Sequence, residues 1–538
     1  MASSPPNRLD RFDSAIRALI TPRDRLRTSG PPVPVVADAP HAVVIGAGFG
    51  GLAAAVRLGA RGYRVTVIDR LEDPGGRARV FRDQGFTFDA GPTVITAPFL
   101  LEELWQLAGA KLEDDVVLRE VDPFYRIRFH DGSIFDYVGD AETMRAQIEQ
   151  LCPEDVAGYD RFLAHSERIF DVGFTMLGHV PFDSVMDMAK ILPAMLQLES
   201  LRTVWQLVSK YVKNPKLRQV LSFHTLLVGG NPFSTSSIYA LVAFLERDMR
   251  VWYAMGGTGS VVQGLVRLIE RRLSGTIRLG EEVKQILIEG GRARGVELQS
   301  GERLAADVVV SNADAAWTYR HLVPEHQRPS WSDRRVARMR FSMGLFVWYF
   351  GTDRVYEHVA HHTILLGPRY EGLLRDIFKN KVLAEDFSLY LHRPTATDPS
   401  MAPDGCDAFY VLSPVPHLDA GVSWRREAEV YRKKISRYLA DSILPGLEEH
   451  LVTSRVMTPR DFRDDYLSVK GAAFGPEPVL HQSAYFRPHN QSEDIEGLYL
   501  VGAGTHPGAG IPGVLSSARV LDTVVPDAVP RSNRSGAS

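Results

Sequence analysis

The sequence predicts an α/β fold, a Rossmann-like nucleotide-binding domain into which a separate α+β domain is inserted. Three observations carry the prediction. A strand–glycine loop–helix–strand–acid unit opens at His41, a second glycine-rich loop feeds a helix near the other end of the chain, at Gly502–Gly513, and a strand meander lies between them at 283–310. Composition permits such a fold. With 538 residues, 45% of them hydrophobic, the chain can bury a large core without a staple. The net charge of −3 gives no ground for a nucleic-acid partner, and none is expected. The two cysteines, Cys152 and Cys406, exclude a disulfide framework and fit a reducing compartment.

Residues 1–40 stand apart as a Pro-rich extension. Leu9, Phe12, Ile16, Leu19 and Ile20 recur at helical spacing and predict a short amphipathic helix. Such a helix serves membrane-surface attachment or self-association, or is a loosely docked extension. No secretory signal is expected. Two uncharged stretches, Gln219–Leu245 and Gly497–Ala518, are long enough to span a membrane, but Gly and Pro interrupt both. The tail at 526–538 is polar and expected to be disordered.

The nucleotide unit begins with the apolar run His41–Ile45. In the loop that follows, Gly46 permits the tight turn, Gly48 clears space for a pyrophosphate, and Gly51 lets helix and strand pack closely. The helix N-terminus offers free N–H groups and a positive dipole end to phosphates. Asp69 ends the second strand and can accept both ribose hydroxyls, while its charge disfavours a 2′-phosphate. Gly75, Gly76 and Arg77 follow at once, giving room for a cofactor larger than NAD. The C-terminal loop adds a second helix N-terminus, so one long cofactor touched by both chain ends is expected. That dipole would stabilise the negative charge that grows on a reduced flavin.

These motifs resemble those of the bacterial-type phytoene desaturases, FAD-dependent carotenoid desaturases of the amine-oxidase-like flavoprotein superfamily. Four segments carry the resemblance: Val44–Gly51, Gln84–Thr96, Leu226–Phe233 and Leu498–Gly513. The resemblance covers about 43–522. It implies an FAD-binding domain at 41–130, 255–330 and 456–525, and a substrate domain at 131–254 and 331–455. It places Gly46, Gly48, Gly51 and Asp69 at the ADP part of FAD, with the backbone of Val283 at the adenine. Gly75, Gly76 and Arg77 fall along the ribityl–pyrophosphate region. Gly504, Ile511, Pro512, Gly513 and Val514 fall near the isoalloxazine. The acid is Asp where Glu is common in related flavoproteins, which shortens its reach.

The implied substrate is a forty-carbon polyene. Leaving it in water costs roughly 30 kcal/mol at ~0.8 kcal/mol per buried carbon group, so it must be drawn from lipid through an apolar path. Peripheral attachment to the cytoplasmic side of the membrane is therefore expected, with quinone or oxygen as electron acceptor. The apolar, Met-rich segment Phe174–Leu198 reads equally as a lid or tunnel wall and as ordinary helical core. The implied chemistry is hydride transfer to flavin N5 followed by proton loss from the neighbouring carbon, toward neurosporene or lycopene. Asp187 and His506 are the candidate proton acceptors; the plainer readings are an Asp187–Lys190 helix pair and a histidine bonding its own turn. His358, His361 and His362 lie too close in sequence, without a carboxylate or cysteine nearby, and no metal is expected. Competing readings are a desaturase or oxygenase of a later carotenoid, an amine oxidase, and a non-catalytic prenyl-lipid escort.

Overall fold

The structure is a computed structural model and describes residues 26–530; the predicted N-terminal helix lies outside them. A five-stranded parallel sheet forms the first domain. Its strands, in spatial order, are Leu498–Leu500, Val308–Ser311, His41–Ile45, Arg64–Ile68 and Thr276–Arg278. They come from widely separated stretches of chain, as an interrupted domain requires. His41–Ile45 sits at the centre and is buried throughout, which is why its sequence is a continuous apolar run rather than an alternation. Of the meander expected at 283–310, the strands Val283–Glu289, Arg292–Leu298 and Arg303–Ala305 form one antiparallel sheet, whereas Val308–Ser311 joins the parallel sheet instead.

Two helices cover one face of the parallel sheet, Phe49–Ala60 and Ile511–Val524. Buried charge ties them together. Arg57, 2% exposed, donates from Nη1 to Asp522 Oδ2 at 2.6 Å and from Nη2 to Glu103 on the helix Phe99–Leu107. Residues of the Pro-rich leader dock here too: Val33 N–H donates to the carbonyl of Ala60 at 2.9 Å. The start of the tail is likewise held, since Tyr63 Oη donates to the Pro526 carbonyl at 2.9 Å. The tail is therefore anchored to this domain at Pro526, where disorder was expected.

The second domain is built on a seven-stranded sheet: Leu451–Met457, Gly344–Thr352, Asp407–Val415, Leu389–His392, His362–Leu365, Tyr125–Arg128 and Ile134–Tyr137. All neighbours are antiparallel except His362–Leu365 with Tyr125–Arg128. Tyr125–Arg128 thus belongs to this sheet, and the first domain boundary falls before 125 rather than at 130. The period-two alternation of the strands separates the two faces. Phe346, Trp348 and Phe350 pack against Trp424, Tyr431, Ile435 and Leu439 of the helix Trp424–Ser442. Leu345 and Val347 face the other way, into the cavity described next.

Candidate active site

One cavity of about 580 Å³ runs from the glycine loop of the first domain to the sheet of the second. The glycine loop, Asp69 and Val283 line one end of it. Gly46 has φ +95°, the turn that ends the first strand. A Cβ on Gly51 would collide with the Gly46 carbonyl, so only glycine lets the helix start this close to the strand. Gly48 is the N-cap of that helix and offers no side-chain cap, which leaves the first N–H groups for a ligand. Asp69 lines this end. Its Oδ2 accepts from Ala47 N–H at 2.6 Å and its Oδ1 from Leu71 N–H at 2.9 Å. Burial pushes its pKa up, against the pull of those two backbone bonds. Each oxygen retains a lone pair for a ribose hydroxyl. Val283 opens its strand on the same wall.

Gly75 N–H donates to the Ala47 carbonyl at 2.8 Å, so the second glycine pair lies directly beside the first loop. Arg77 follows and lines the cavity. Its Nη2 donates to Ser468 Oγ at 2.7 Å, while its buried Nε has no partner. Desolvation lowers the Arg77 pKa against the opposing charge of Asp314. An unmet guanidinium donor beside a glycine cradle is an acceptor-rich ligand's site, and an FAD pyrophosphate meets that need.

At the other end, Ile511, Pro512, Gly513 and Val514 line the cavity and open the helix Ile511–Val524, again with no side-chain cap. Gly504 does not line it. A Cβ there would meet Ala315 Cβ at 2.7 Å, so this glycine packs the loop against the first domain from behind. Gly504 thus seats the loop against Ala315. His506 does line the cavity, 9% exposed. Its ring lies edge-on to Phe182 at 4.9 Å, and its Nε2 is 3.3 Å from the carbonyl of Leu177, not bonded within its own turn. Burial pushes its pKa down to about 4, so the ring is neutral near pH 7. Asp187 is buried, 3.6 Å from Lys190, on the inner side of the helix Val185–Gln197. Its neighbour Met188 lines the cavity but Asp187 does not.

His358, His361 and His362 part company. His358 Nε2 pairs with the Ile443 carbonyl at 2.7 Å, whereas His361 and His362 join His392, with one ring nitrogen of each within 4.8 Å of the others. Burial holds all three pKa values down, His361 to about 3. Neutral imidazoles are metal donors, but no carboxylate or thiol joins this group among the described residues. Arg393 sits close enough to depress His361 further, which opposes a cation there. His362 Nδ1 instead pairs with Tyr390 Oη at 2.7 Å, and Thr93 links Tyr390 to Tyr410, two rings that line the cavity.

The remaining wall is apolar. Phe174, Leu177, Met188, Ile191 and Met195 face Leu345, Val347, Ile364 and Leu412 across it. Two polar residues in this region went unnoticed in the sequence, His224 and Glu246, because no local pattern links positions that far apart.

A family description, flavin-containing amine oxidoreductase, matches residues 49–520. The chain belongs to this family. FAD is therefore the cofactor, which the two glycine loops, Asp69 and Arg77 could hold, and the fold is the family's Rossmann-like FAD domain with a substrate domain. Among curated relatives, the neurosporene-forming phytoene desaturase of Cereibacter sphaeroides is 48% identical over 94% of this chain and 98% of its own length. The lycopene-forming phytoene desaturase of Pseudescherichia vulneris is 51% identical over 90% and 98%. Of solved structures, an oxidoreductase from Methanosarcina mazei superposes with TM-score 0.60 at 19% identity, covering 89% of this chain and 98% of its own. A redesigned double mutant of putrescine oxidase does so at 0.59 and 14%, covering 90% and 99%. At such identities the superpositions speak for the fold.

Proposed function

We propose that this flavoenzyme desaturates phytoene at the cytoplasmic surface of a membrane, giving neurosporene or lycopene. The observation that carries the reading is the continuity of the cavity: an FAD-binding end opens without a partition onto a wall of Leu, Ile, Val, Met and Phe. A long hydrocarbon fits such a wall; a small cationic amine would gain little there. The relatives above, named for phytoene desaturation, support the same substrate. An escort protein would have no use for two intact glycine loops and an unpaired Arg77 donor, and nothing favours that reading.

Bound FAD would supply a two-electron acceptor, with quinone or oxygen as the final oxidant. The protein supplies position and environment. The helix N-terminus at Ile511–Val514 directs its positive dipole end at the ligand. The apolar wall excludes water and holds a chain of carbons in line.

Membrane attachment is supported by the helix Val185–Gln197. Met188, Ile191 and Met195 face the cavity, yet Val185, Leu192 and Leu196 on the opposite side are 65%, 48% and 55% exposed. Among the described residues no helix is long and apolar enough to cross a membrane. A helix apolar on both sides, one facing a tunnel and one facing out, suits a lid resting in a lipid surface. Expression in a phytoene-accumulating host tests the function. A coloured carotenoid with the absorption of neurosporene or lycopene is expected, and unchanged phytoene overturns the reading.

A further inference from the structure

We infer that His224, held by Glu246, accepts the proton released on desaturation. The inference rests on the desaturase reading above. Ten charged or imidazole side chains line the cavity: Asp69, Arg70, Arg77, His224, Glu246, Glu281, Glu282, Asp314, Asp465 and His506. All but three of them cluster with the glycine loop, the opening of the meander and Arg77. His506 is one of the three, but the charged groups around it are Arg487, His489 and His179, and among the described residues no carboxylate stands by to balance an imidazolium there. That leaves His224 and Glu246 in the apolar part of the wall, 3% and 1% exposed.

The pair has the geometry of a base and its orienter. His224 Nε2 lies 3.0 Å from Glu246 Oε2, a charge contact rather than an aligned hydrogen bond. Glu246 Oε1 accepts from Tyr125 Oη at 2.7 Å, which fixes the carboxylate from behind. Phe223, Tyr137 and Tyr125 surround the imidazole at centroid distances of 4.1, 5.1 and 5.9 Å. With Nε2 directed at Glu246, Nδ1 is the nitrogen free to serve the cavity.

The position suits the chemistry. His224 lies on the short helix Phe223–Val228, and Val228 Cγ1 is 3.3 Å from where a Cβ on Gly510 would stand. Gly510 caps the flavin-side helix. At ~2 Å rise per residue, His224 stands roughly 8 Å along that helix from this contact. In the reaction an allylic carbon of the substrate gives up a hydride, with its electron pair, to the FAD that is thereby reduced. The adjacent C–H bond then breaks, its electron pair becomes the new double bond, and its proton passes to His224 Nδ1. Glu246 balances the imidazolium so formed in a medium too apolar to solvate it.

The test uses the FAD-loaded full chain and phytoene in phosphatidylcholine vesicles. If wild type converts no phytoene, the function reading fails and not this one. Given wild-type turnover, His224→Ala is expected to keep its flavin spectrum and KM while kcat falls about a hundredfold or more. Added imidazole is expected to restore turnover in that variant and to do nothing for Glu246→Gln, which slows in the same way. A rate near wild type in His224→Ala, or a loss that imidazole does not lift, overturns the proposal. Should His224→Ala lose its flavin, His224→Gln decides by the same split of kcat from KM. Loss of flavin in both makes the pair structural and overturns the proposal as well.

Discussion

Asp89 is a buried acid with one oxygen satisfied and one not. Its Oδ1 accepts from Thr258 Oγ1 at 3.0 Å, while Oδ2 has no partner. Desolvation is the main cause of its pKa rising to about 6, from 3.8. In the folded chain the proton is therefore held up to about pH 6, in the unfolded chain only to 3.8. The resulting stability is fully present below 3.8 and is lost as pH rises through 6. Above that, the fold carries a buried charge that its hydrogen bonds only partly offset, at a cost on the order of 3 kcal/mol. Asp89→Asn should raise the melting temperature at pH 8 and change it little at pH 4; equal shifts at both would show that Asp89 is not the titrating group. Gly51→Ala makes the opposite case, where no charge is involved and steric room is everything. It should abolish FAD retention, read as a colourless purified protein, because the added methyl group enters the Gly46 carbonyl. Gly46, Gly51 and Asp69 were legible in the sequence because their jobs demand one residue type at fixed spacing. His224 and Glu246 were not, since Tyr125, His224 and Glu246 meet only through the tertiary fold. Gly504 was legible as a loop glycine but not as a packing one, because Ala315, which it must clear, belongs to another segment.

On the scale of one element, the helix Val185–Gln197 shows how far a pattern reaches. Its abundance of Met, Leu and Val is visible in the sequence, and so is its helical length. What cannot be read there is that two apolar surfaces diverge. Ile191 and Ala194 are buried, while Val185, Ala189, Leu192 and Leu196, spaced i, i+4, i+7 and i+11, look outward. A single-sided helix would have put polar residues on that stripe. Leu192→Glu with Leu196→Glu is thus expected to leave the flavin spectrum and thermal stability unchanged and to cut sedimentation with phospholipid vesicles severely. Undiminished vesicle binding would place the membrane contact elsewhere. The strand Tyr125–Arg128 is the converse case. Its alternation is too short to announce a domain, and its parallel partner His362–Leu365 lies far along the chain. A domain boundary at 130 consequently falls between two paired strands of one sheet.

For the whole molecule, the decisive fact is that both ends of the chain must come together before any cofactor site exists. The parallel sheet places Leu498–Leu500 beside Val308–Ser311, but the strands alone do not fix the two helices that begin at the glycine loops. Arg57 does so, between Asp522 and Glu103, with Arg519 Nε also 3.2 Å from Glu103 Oε1 and Arg61 3.8 Å from Asp522. Desolvation alone would lower the Arg57 pKa, yet its two carboxylates raise it overall. Removing a single member of such a buried cluster strands the others, at a cost of about 3–5 kcal/mol. Arg57→Met should lower the urea midpoint by a corresponding amount and weaken FAD binding with it, because both cradle helices loosen together. The triple change Arg57→Met, Glu103→Gln, Asp522→Asn also takes the carboxylates from Arg519 and Arg61, leaving two largely buried cations without them, and should lower the midpoint below that of Arg57→Met. If instead the triple variant is as unstable as Arg57→Met alone, the cluster stabilises through Arg57 packing rather than charge, and the link between the chain ends is steric.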